Sequence, residues 1–79
     1  VPKNSVFTVV KGNIVKVLDL NPDQISIDKS LSDLGANSVD RMEIVTCSME
    51  DLGLDIPLMS FAKVSNIEGL VEVFASHLR

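Results

Sequence analysis

The chain of 79 residues contains no tryptophan and no tyrosine, and only three phenylalanines, one histidine and one cysteine. Each scarcity excludes something. With so few aromatic rings, platforms on which nucleic-acid bases would stack are scarce. Cys47 has no second cysteine for an internal disulfide, and no Cys/His cluster has metal-ligand spacing. A reducing, cytoplasmic setting fits this usage. The apolar runs are only a few residues long, so none spans a bilayer, and no signal-peptide pattern is visible. The first residue is Val rather than Met, as in a trimmed chain or an excised domain. His77, close to the chain end, offers no Ser-His-Asp triad. Glu50 and Asp51 are sequence neighbours, so on a helix they diverge and make a poor acid/base pair. Cys47 has no nearby His to activate it as a nucleophile and reads as a small helix residue. No catalytic set and no metal site is expected.

What is present points to one small helical domain over residues 1–79. Apolar residues make up 46% of the chain, enough for a single core and too many for disorder. The net charge of −4 argues against nucleic acid and against an anionic membrane surface as partners. That charge is uneven. Residues 1–20 carry Lys3, Lys11 and Lys16 against Asp19, a net of +2. Residues 33–55 carry Asp33, Asp40, Glu43, Glu50, Asp51 and Asp55 against Arg41, a net of −5. The acid half is where a basic partner would dock.

Periodicity predicts the elements. Phe7, Val10, Ile14, Val17 and Leu18 recur at helical spacing, predicting a helix over about residues 3–18. Asn4 and Ser5 are its candidate caps, Asn21-Pro22-Asp23 its expected stop, and Lys11, Asn13 and Lys16 its outward face. A long connection follows, with Ile25, Ile27, Leu31 and Leu34 as anchors and Gly35 as its permissive last turn. The second helix is expected from Asn37 or Ser38 to about Leu52. Asn37 and Asp40 have capping spacing, and Gly53 is the stop. Met42, Val45, Met49 and Leu52 are its expected apolar stripe, with Ile44 and Ser48 beside it. Asp40, Glu43, Cys47 and Glu50 fall on the other side. Pro57 opens a short third helix over Leu58 to Ala62, and Ser65-Asn66 caps a last one buried through Ile67, Leu70, Val71, Phe74 and Leu78. The expected fold is all-α: a small antiparallel four-helix bundle, three longer helices and one short, with a long first loop.

The stretch that carries chemistry is Asp33-Leu34-Gly35-Ala36-Asn37-Ser38-Val39. A serine at a helix start is usually only a cap. Here a Gly-containing turn delivers it to a helix N-terminus, where unsatisfied N–H groups and the dipole favour an attached phosphate. This stretch is similar to the acyl carrier protein motif, whose usual core is Gly, one residue, then Asp-Ser-Leu. The likeness extends over essentially the whole chain, including the long first loop and the Ile56-Pro57 step. The resemblance implies that Ser38 receives 4′-phosphopantetheine from coenzyme A and that the chain is a carrier, not a catalyst. Two positions depart from the pattern: Asn37 stands for the usual Asp and Val39 for the usual Leu.

The run Asn37 to Ile44 resembles discrete carriers of polyketide assembly. In particular it resembles the donor carriers of β-branching cassettes, which present an acetyl thioester to a hydroxymethylglutaryl-synthase-like enzyme. The implied partners are a phosphopantetheinyl transferase, and a ketosynthase, an acyltransferase or such a synthase, met by a monomeric carrier. Asn37, Val39, Asp40, Arg41, Glu43 and Glu50 are the implied recognition residues. Ile44, Ser48, Met49, Ile56, Phe61 and Val64 lie near the family's acyl cleft between the second and third helices. Left open are a carrier of fatty-acid synthesis, a peptidyl carrier of a peptide synthetase, and an unmodified helical interaction module.

Overall fold

A computed structural model describes residues 3–61, 64 and 66–78. It contains three α-helices, α1 (Lys3–Leu18), α2 (Ser38–Leu52) and α3 (Ile67–His77), and two single 3₁₀ turns, Pro22–Gln24 and Leu58–Phe61. No strand occurs among the described residues. The fold is all-helical as expected, with one correction. The short third helix is a 3₁₀ turn rather than an α-helix, so the described residues form three α-helices. Ala62, the expected end of that helix, lies outside the described residues.

The first helix is tied to the rest by Val6, Val10 and Ile14, one turn apart and fully buried. Both α2 and α3 pack against it, whereas no comparable approach joins α2 to α3 among the described residues. Phe7, Val17 and Leu18 are only half-buried at the edge of the core. The expected caps Asn4 and Ser5 lie inside the first turn of α1. The helix ends at Leu18, where Asp19 takes the left-handed conformation at φ 54°. Asn21-Pro22-Asp23 is therefore not the helix stop. It starts the first 3₁₀ turn, where Asn21 Oδ1 accepts from Asp23 N and Gln24 Oε1 accepts from Asn21 N.

Asn13 overturns a further expectation. It does not face water; it is buried, and its Nδ2 donates to Ser48 Oγ, Asp51 Oδ2 and Val9 O, each at 3.1 Å. It lies seven residues after Val6 and three after Val10, on the same face of the helix. An amide is tolerated there because α2 brings acceptors to meet it. The same contact turns α2. Its buried residues are Ile44, Val45 and Ser48, while Met49 and Leu52 are half-buried. Met42, expected in the stripe, is 53% exposed.

The long loop is held as the sequence suggests. Ile25 and Leu31 are buried, and Ile27 and Leu34 half-buried. Its backbone also serves α3, because Lys29 O and Ile27 O accept from Ile67 N and Glu68 N at 2.8 and 2.9 Å. Asn66 Oδ1 accepts from Gly69 N at 2.8 Å, completing that helix start; Ser65 lies outside the described residues. Ile67, Leu70, Val71 and Phe74 are buried as expected, Leu78 partly. The Phe61 ring meets Phe74 at 5.3 Å between centroids, tilted by 51°.

Candidate functional site

The loop reaches α2 through a tight turn. Leu31 O accepts from Leu34 N at 3.1 Å and from Ala36 N at 3.0 Å, and Gly35 sits at φ 88°, a conformation costly for a side-chain-bearing residue. Asn37 then caps α2. Its Oδ1 accepts from Asp40 N at 2.8 Å, and Asp40 Oδ2 accepts from Asn37 N at 3.3 Å, a reciprocal capping box. Arg41 N donates to Asn37 O at 2.9 Å.

Capping by Asn37 decides what Ser38 can do. Ser38 is the first residue of the helix and is exposed. Its hydroxyl is not used as the cap. The Ser38 and Val39 N–H groups, orphaned by position in the helix, meet no acceptor among the described residues. A phosphate joined to Ser38 Oγ would find these two donors and the positive end of the helix dipole beside it. The residues present therefore fit a covalent phosphopantetheine: a reachable hydroxyl, local donors and a small-residue approach through Gly35 and Ala36.

The outer face of α2 continues from that point. Val39 is 71% exposed, and with Met42, Glu43, Thr46 and Cys47 it lines a shallow apolar depression. Asn37, Arg41, Glu43 and Glu50 are exposed too, and Asp40 is half-buried because its carboxylate serves the cap. The six recognition candidates thus lie along α2 or at its cap. Met42, Thr46 and Cys47 join them on that face; of these, Met42 is the one expected in the buried stripe. Arg41 Nη2 donates to Val64 O at 3.4 Å, reaching the segment ahead of α3.

The six cleft candidates are less unified. Ile44, Ser48, Ile56 and Phe61 are buried, and Met49 and Val64 half-buried. The Ser48 hydroxyl, however, is turned to Asn13 at the α1–α2 seam, and the Phe61 ring is engaged by Phe74 of α3. The sequence reading does not pair Asn13 with Ser48 and Asp51, which both accept from its amide; the spacing of Asn13 from Val6 and Val10 is the available signal. Cys47 is half-buried in the depression. His77 is exposed, with Nδ1 2.9 Å from Val73 O at the end of α3. No group of His, Cys, Asp or Glu among the described residues is placed to hold a metal ion.

The start of α2 thus presents an exposed serine heading a capped helix, approached by a glycine turn, with Asp40 in the same turn. Residues 8–74 match the family described as phosphopantetheine attachment site, and the chain belongs to that family, the acyl carrier proteins, which carry 4′-phosphopantetheine and are not enzymes. Among relatives, it is 43% identical over 72 residues to the polyketide biosynthesis acyl-carrier-protein AcpK of Bacillus subtilis (strain 168), covering 90% of this chain and 88% of that protein. It is 37% identical over 67 residues to an acyl carrier protein of Campylobacter hominis, covering 84% and 85%. It is 33% identical over 69 residues to that of Zymomonas mobilis, covering 86% and 88%.

Proposed function

We propose that Ser38 is the attachment point of 4′-phosphopantetheine and that the chain, one carrier domain over residues 1–79, carries acyl groups in polyketide biosynthesis in the cytoplasm. The observation that carries this reading is the division of labour at the start of α2. Asn37 makes the cap, which leaves the adjacent serine hydroxyl exposed to a transferase. When attached, the arm supplies a thiol that holds the acyl group as a thioester. The protein's own residues do the rest. Asn37 and Asp40 fix the helix start, the Ser38 and Val39 N–H groups would be the donors available to the phosphate, and the exposed Val39, Glu43 and Glu50 would meet the partner. The polyketide assignment is supported by the AcpK relative and by the Asn37 to Ile44 run.

Within that pathway class, the same run supports a role as acetyl donor for β-branching, handed to a hydroxymethylglutaryl-synthase-like enzyme. A small cargo also suits the interior, where Ser48 and Asn13 put polar atoms at the α1–α2 seam. Ile44, Met49, Ile56, Phe61 and Val64 are the remaining surfaces an acyl group would meet. Docking to a transferase, ketosynthase, acyltransferase or synthase is steered by the acidic face of α2, so association slows as salt rises.

The test is an intact mass after incubation with coenzyme A and a broad-specificity phosphopantetheinyl transferase. The expected result is a gain of one phosphopantetheine, absent in Ser38→Ala. No gain with several transferases would overturn the assignment. For the donor role, acetyl transfer is assayed with a cognate synthase; failure while longer acyl chains transfer to other partners would reject it.

A further inference from the structure

We propose that Arg41 is this chain's own side-chain ligand for the phosphate on Ser38, and that loading moves its guanidinium from the Val64 carbonyl to that phosphate. The inference rests on Ser38 as the attachment point. Arg41 is the single basic residue of α2, against Asp40, Glu43, Glu50 and Asp51. It lies in the first turn, where the helix dipole disfavours a cation. Its neighbours on the helix surface, three and four residues away, are Asn37, Ser38, Ile44 and Val45, none of them acidic. Asp40 and Glu43 are one and two residues away and face elsewhere, and Asp40 is already spent on the Asn37 N–H. The ion pair found among the described residues is Lys3 with Glu72, on other helices. Arg41 therefore stands in a poor electrostatic position with one contact, an exposed hydrogen bond to Val64 O at 3.4 Å, long for its type.

A phosphodiester on Ser38 corrects each of these defects. It lies one turn back on the same helix flank and carries a negative charge. Its two non-bridging oxygens match the guanidinium fork. The Val64 carbonyl offers the guanidinium one long bond and no charge, whereas the phosphate offers two acceptor oxygens and an opposite charge, so the phosphate wins the competition. Arg41 then acts on both sides: it holds the base of the arm, and its departure frees the Val64 carbonyl in the segment leading to α3.

The experiment compares apo and loaded forms of the wild type, Arg41→Gln and Arg41→Lys. Intact mass confirms loading in each. In the wild type, loading is expected to move the Arg41 Nε–Hε resonance and to raise Tm by about 2–4 °C, the size of one exposed ion pair in a domain this small. The Tm gain should vanish in Arg41→Gln, survive in part in Arg41→Lys, and shrink at high salt. A purely structural Arg41 would shift apo and loaded Tm equally; that result, or an unmoved Arg41 resonance in a loaded protein, overturns the proposal. Absence of loading in the wild type would instead overturn the Ser38 assignment and this inference with it.

Discussion

Two helices of this protein start in the same way and serve opposite ends. Asn37 and Asn66 each accept, at 2.8 Å, the N–H three residues on. At α3 the next two N–H groups donate to the loop carbonyls of Lys29 and Ile27, and the first helical residue, Ile67, is fully buried. At α2 the equivalent N–H groups meet no acceptor among the described residues, and the first residue is an exposed serine. A cap alone makes a helix end; a functional end needs the remaining donors left over and a reactive side chain beside them. The difference comes from the long loop, which covers one helix start and merely leads into the other.

Exchanging the roles of the two first positions gives the largest effects. Ile67→Ala should lower stability by about 2–5 kcal/mol, the usual range for emptying such a site, seen as a lower urea midpoint with unchanged slope. It should leave modification of the folded fraction intact. Ser38→Ala should do the reverse, abolishing the mass gain while the urea midpoint stays nearly fixed. If Ser38→Ala proves as destabilising as Ile67→Ala, the two starts are not different in kind.

The caps come next. Asn66→Ala and Asn37→Ala should each cost about 1 kcal/mol, but only Asn37→Ala should slow phosphopantetheine transfer, measured as the rate of mass gain. Equal transfer rates in both would show that the cap of α2 is structural only. The smallest effect belongs to a helical site touching neither start. Gly12 is exposed, and an added Cβ would meet nothing within 4 Å, so Gly12→Ala should stabilise by about 0.5–1 kcal/mol without altering transfer. Differential scanning calorimetry of apo protein reads this gain.

The sequence alone located α1, the Asn37 cap, the Gly53 stop at φ 68° and the α3 stripe. Those features are local: periodicity, cap spacing and a left-handed glycine are written in a few adjacent residues. What it misplaced were faces. Met42 and Asn13 were assigned by polarity, yet Met42 faces out and Asn13 in, because the rotation of α2 on α1 is set by a bond between residues 35 positions apart. The short third helix was misread for a related reason. Pro57 marks a start, but nothing local distinguishes an α turn from a 3₁₀ one over four residues. At the site, the place of Ser38 at the head of α2 is legible in the sequence. The outward reach of Arg41 to Val64 was not, because it depends on where the segment before α3 lies.

The Asn13 amide also acts as a ruler. Hydrophobic contacts between helices tolerate sliding, since one methyl group substitutes for another. An amide that bonds Ser48 and Asp51 at once does not: a slip of α2 by one turn would leave buried polar groups unpaired, at about 1–3 kcal/mol each. Ser48 and Ser38 are ten residues apart on one helix, about 15 Å along its axis. Fixing Ser48 against α1 therefore fixes the height at which Ser38 emerges from the bundle. With the arm on Ser38 as proposed, a carrier visited by successive enzymes would present the same tether origin to each, and that constancy would be set at the far end of the helix from the tether.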